Sequence, residues 1–93
     1  MDRIDVWFRI LKNEGKTVYT KTGLPFNYEK VDEEKVKIYR EDKAMGYVTK
    51  EAITLILRNP NEPRHFYRDN IKERTSSYAL ALVDAAITGF EEN

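Results

Sequence analysis

Two clusters of side chains in this 93-residue chain carry chemistry suited to a flat, anionic ligand. The first is Lys37-Ile38-Tyr39-Arg40. Period-2 alternation places Lys37 and Tyr39, with Lys35, on the face opposite Val36 and Ile38. The second is Arg64-His65-Phe66-Tyr67-Arg68, extended by Arg74. Guanidinium forks pair with phosphate oxygens, and aromatic rings stack on bases. The expected contact set for DNA or RNA is therefore Lys37, Tyr39, Arg40, Arg64, His65, Tyr67, Arg68 and Arg74, with Arg40 bridging the two clusters. The competing structural reading has Phe66 and Tyr67 capping the core while the arginines pair with Glu62, Asp69 and Glu73.

Catalytic chemistry finds little material. His65 is the only histidine and there is no cysteine, which removes zinc patterns, thiolate nucleophiles and disulfides together. The four glycines are scattered and form no phosphate loop. Glu33-Glu34-Lys35 contains Glu-x-Lys, which resembles the carboxylate-plus-lysine half-motif of PD-(D/E)xK nucleases. That resemblance implies a divalent metal held with an upstream aspartate on a neighbouring strand. Here the upstream aspartates are Asp2 and Asp5 at the N-terminus and Asp32 in the same turn, so Glu33-Glu34-Lys35 is read as part of a hairpin reversal. The expectation is a non-enzymatic binding module with no metal and no cofactor.

These residues need a scaffold, and the stretch from Lys16 to Glu41 supplies its centre. Thr17-Val18-Tyr19-Thr20, Phe26-Asn27-Tyr28-Glu29 and Val36 to Glu41 read as three strands, separated by a Gly23/Pro25 turn and the polar reversal Val31 to Lys35. Asp42 to Gly46 reads as a turn, with Tyr47 and Val48 at most a brief fourth strand. An N-terminal helix is expected from Asp2 to Asn13, with Ile4, Trp7, Phe8 and Leu11 as its apolar stripe, widened by Val6 and Ile10. A second should run from Lys50 to Arg58, capped by Thr49, stapled by Val48 and Ile53, and ended by Asn59-Pro60. The segment from Asn59 to Thr75 is irregular, pinned by Phe66 and Ile71. The last helix begins near Ser76 and ends at Gly89, with Phe90 making the contact that follows such a stop. The expected fold is α+β, a three-stranded antiparallel meander packed by one N-terminal and two C-terminal helices, in a single domain over 1–93.

Composition narrows the partners. Sixteen basic residues balance sixteen acidic ones, where a dedicated nucleic-acid binder is usually more basic. The balance is local, however. Lys35 to Lys50 holds five basic residues and two acids, and Arg58 to Arg74 holds five and three, while acids collect between Glu29 and Glu34. The last helix is apolar nearly all round, with Asp84 its only charge, which raises the alternative of a protein partner or a homodimer using Ala79, Val83 and Ala86. The N-terminus lacks a signal-peptide pattern and no apolar run approaches the ~20 residues a bilayer crossing needs. A cytoplasmic location without membrane contact is expected.

Overall fold

The computed structural model describes residues 3–71 and 74–90. The expected roles of Asp2, the Ile4 side chain, Glu73 and the acidic end Glu91-Glu92-Asn93 lie outside what it describes. Helix α1 (Arg3–Lys12) leads into strands β1 (Val18–Tyr19), β2 (Pro25–Lys30), β3 (Lys35–Arg40) and β4 (Lys43–Thr49). Helices α2 (Lys50–Arg58), α3 (Arg64–Asn70) and α4 (Ser76–Thr88) follow. The chain is α+β, and its sheet is an antiparallel meander in the order β1-β2-β3-β4. No helix among the described residues is long and apolar enough to cross a membrane.

The sheet has four strands where the sequence reading expects three. β4 carries Lys43-Ala44-Met45-Gly46, a run of weak strand formers. It also breaks alternation: Ile38 pairs with Gly46 but Tyr39 pairs with Ala44, so Met45 is an extra residue in a bulge. Gly46 has φ of 124°, a conformation open to glycine. The reversal itself is only Glu41-Asp42, with φ of 51° and 66°, closing the Arg40–Lys43 pair. Two left-handed residues in a two-residue loop give the type I′ geometry that matches strand twist, where glycine is the favoured second residue. Asp42→Gly is therefore expected to stabilise the fold by roughly 0.5–1 kcal/mol, read as a shifted urea midpoint at constant slope.

One face of the sheet is dry. Val18, Phe26, Tyr28, Val36, Ile38 and Val48 are buried there, under α1, α2 and α4. α4 is the hub of the helical layer, touching α1, α2, α3, β1 and β4. Its crowded position explains why it is apolar all round, and Ala79 and Ala86 are fully buried with Val83 nearly so. The strip proposed for self-association is thus core, and that reading of α4 is corrected.

α1 also differs in phase. Val6, Trp7 and Ile10 are buried and Leu11 partly so, whereas Phe8 is 60% exposed with Lys12 near its ring. The row of Val6 and Ile10 faces inward and that of Phe8 outward as the Trp7 indole binds the sheet end, donating to the Glu33 carbonyl at 2.9 Å. The second expected helix is as read: Thr49 caps α2, its Oγ1 accepting from the Ala52 amide at 3.1 Å, and the helix stops at Asn59. Gly89, at φ of 100°, ends α4 and lets Phe90 fold back into the core.

The fourth helix, α3, lies inside the segment read as irregular. It has seven residues, starts directly after Pro63 and has no side-chain cap, so it leaves almost no periodic signal. Burial of Tyr67 and Ile71 holds it in place. Thr75, fully buried, then donates its hydroxyl to the Tyr47 carbonyl at 2.6 Å, tying the α3–α4 connection to the edge of β4.

Candidate nucleic-acid interface

Among the described residues, no helix packs on the other face of the sheet. Cross-strand register lays out its side chains in rows. Asn27, Tyr39 and Ala44 form one row, Glu29, Lys37 and Tyr47 the next, and Lys35 and Thr49 the third. Residues directly opposite on antiparallel strands share a face, so the two tyrosines and two lysines occupy one surface at the centre of the sheet. The Lys35 ammonium lies 4.8 Å from the centroid of the Tyr47 ring, across a β3–β4 diagonal. The Lys37 ammonium lies 5.6 Å from the Tyr39 ring along the same strand. Each is a cation–π distance, and each orders a lysine stem that would otherwise wander.

The positions of these residues follow from local sequence. Asp32 shapes the β2–β3 hairpin, its Oδ1 accepting from the amides of Glu34 at 2.8 Å and Lys35 at 3.1 Å. Glu33 takes the Lys30 ammonium at 2.7 Å, a pair that raises the Lys30 pKa above the ordinary lysine value through the hydrogen bond and charge of Glu33. Glu33 and Asp32 are thus turn residues. Among the described residues, no three acidic or histidine side chains come together near Lys35 or elsewhere in a metal-holding group.

Of the residues expected from sequence, Lys37 and Tyr39 are on this open face. Arg40 follows the alternation of Val36 and Ile38 and belongs to the opposite face, so it does not bridge to them. Arg64, His65 and Arg68 are exposed on α3, which packs on α4 in the helical layer. Arg74 is exposed beyond α3, at φ of 58°. The single patch expected from Lys37, Tyr39, Arg64, Tyr67 and Arg68 is divided between the two sides of the molecule.

Tyr67 is 4% exposed, and its hydroxyl donates to the Asn59 carbonyl and accepts from the Glu62 amide. Its ring meets Phe66 edge-on at 5.4 Å. The residue is a core anchor that closes the α2–α3 loop, so no base can stack on it. Tyr47, by contrast, is an exposed ring on the open face, directly opposite Lys37. Sequence reasoning missed it because the first half of its own strand, Lys43 to Gly46, was read as a turn, and the bulge at Met45 hid the alternation.

No known protein family, curated protein or solved structure matches the chain.

Proposed function

We propose that this protein is a non-enzymatic binding module for single-stranded nucleic acid, held on the open face of the sheet. The observation that carries the reading is the placement of Tyr39 and Tyr47, on adjacent strands of that face, each with a lysine ammonium at its ring. Tyrosine rings accept successive bases of any sequence because every base has a π-face, and lysines at the same level meet the phosphates between them. Lys35, Lys37, Tyr39 and Tyr47 are the contact residues. Glu29, beside Lys37, disfavours phosphate at its edge of the row and biases the strand toward β4. A duplex fits less well, because the open face is a sheet surface and not a helix for a major groove, and unstacked bases are needed to use the rings.

Fluorescence anisotropy with labelled dT and rU oligonucleotides, across a salt series, tests this. Log affinity should fall linearly with log salt, and Lys37→Ala should reduce the slope by about 0.7, the value for one phosphate contact on a single strand. Absence of binding at low salt would end the proposal.

A further inference from the structure

The arginines that the fold removes from the sheet face have a site of their own. Arg64 and Arg68 are four residues apart on α3 and share one face of that helix. With Arg74 they line an open depression of about 630 Å³, completed by Asp69, the first-turn serines Ser76 and Ser77 of α4, and Leu80. Among the described residues three guanidinium groups and one carboxylate line it, and that carboxylate is 4.0 Å from the Arg68 Nε, at the outer limit of an ion pair. Among the described residues no ion pair joins Arg64 or Arg74.

The depression is also unusually well supplied with donors. Thr75 stands at the N-cap of α4 but donates its hydroxyl to the Tyr47 carbonyl and makes no capping bond to the helix. Two serine hydroxyls add to the arginine forks, a donor set suited to phosphate oxygens. Arg74 has a left-handed backbone, where glycine would be easier, yet it places a charged side chain in this ring.

A second groove, of about 540 Å³, shares Arg64, Ser77 and Leu80 with the first. Its further walls include Leu57, Val83, Ile87 and Tyr19. The two together offer an anion seat opening onto an apolar bed.

We infer that this pair of cavities binds a phosphate ester, with its phosphate among Arg64, Arg68 and Arg74 and its apolar or aromatic body along Leu57, Leu80 and Ile87. The site lies on the helical layer and does not depend on what the open sheet face binds. The ester is either a free small molecule or the phosphorylated end of a nucleic-acid strand.

Calorimetric titration in low-chloride buffer with inorganic phosphate and with phenyl phosphate tests the inference. Phenyl phosphate should bind at least roughly tenfold tighter than inorganic phosphate, since a buried ring adds apolar contact. The Arg64→Gln/Arg68→Gln double variant should weaken both ligands at least about tenfold, and Ile87→Ser should weaken only phenyl phosphate. Arg74→Gly should lose phosphate affinity while its thermal midpoint holds or rises, which separates ligand contact from folding. A 5′-phosphorylated oligonucleotide that outbinds its 5′-hydroxyl counterpart in an Arg68-dependent way identifies the ester as a strand end; equal binding of the two identifies it as a small molecule. Failure of both phosphate and phenyl phosphate to bind at millimolar concentration, or affinities unchanged by the arginine substitutions, would overturn the site whatever the sheet face does.

Discussion

Replacement of Tyr28 by alanine is expected to cost about 3–5 kcal/mol, a large share of the roughly 5–15 kcal/mol that holds a domain of this size together. Among the described residues Tyr28 is the largest fully buried side chain, at the centre of β2 opposite Ile38. Its hydroxyl donates to the Ile10 carbonyl at 2.6 Å, near the end of α1, and so joins the sheet to the first helix through the middle of the core. Tyr28→Phe keeps the ring and removes only that bond. It should cost about 1–2 kcal/mol and lower the thermal midpoint by roughly 4–8 °C per kcal/mol.

The same residue sets the behaviour at high pH. Burial, and secondarily the charge of Glu14, hold the Tyr28 phenol well above its ordinary value of 10.0. A raised value in the folded state means that the unfolded chain releases this proton first. The contribution of Tyr28 is therefore complete below about pH 10 and is lost as the pH climbs from there toward the folded value. The slope from this one group approaches 1.4 kcal/mol per pH unit. Denaturation midpoints measured from pH 8 to pH 12 should show that decline, and Tyr28→Phe should flatten it. An identical decline in both proteins would show that other groups drive alkaline unfolding.

The second large effect concerns function. Tyr39→Ala and Tyr47→Ala are each expected to cost about 1–3 kcal/mol of single-strand affinity, the scale of one base stacked on one aromatic ring. Together they should weaken binding on the order of a hundredfold or more. Both rings stand on the face without packing, so the loss in folding stability should stay below about 1 kcal/mol, the scale of a cross-strand pair. Anisotropy titrations at fixed salt give the first quantity and urea melts the second. A double variant that binds normally would show that the rings are not a platform.

The contrast between Tyr28 and Tyr39 also shows what was legible in the chain. β2 and β3 alternate cleanly, so their inner residues Phe26, Tyr28, Val36 and Ile38 and their outer pair Lys37 and Tyr39 could be read from spacing alone. The Thr49 cap and the Gly89 stop were equally local and equally readable. β4 was not, because one bulged residue inverts the alternation beyond it and a glycine interrupts the strand. With β4 went Tyr47, half of the proposed platform. α1 was readable as a helix but not in phase. Its rows containing Phe8 and Val6 are both apolar, and the choice between them depends on the distant Glu33 carbonyl that receives Trp7. Tyr67 and the arginines of α3 share one short basic-aromatic segment, yet the helix turns the tyrosine inward and the arginines outward. α4 illustrates a further limit: an all-apolar helix looks the same in sequence whether a partner or its own domain covers it, and here the domain covers Ala79, Val83 and Ala86 while Ile87 stays exposed.

Chemical-shift mapping of the isotope-labelled protein, titrated with an unphosphorylated dT oligonucleotide at low salt, tests the central claim most directly. The expected shifts fall on Lys35, Lys37, Tyr39 and Tyr47, with the tyrosine ring protons moving upfield as bases stack on them. A titration that leaves these four unmoved, whether it shifts other residues or none, would contradict the assignment of the open sheet face as a nucleic-acid platform.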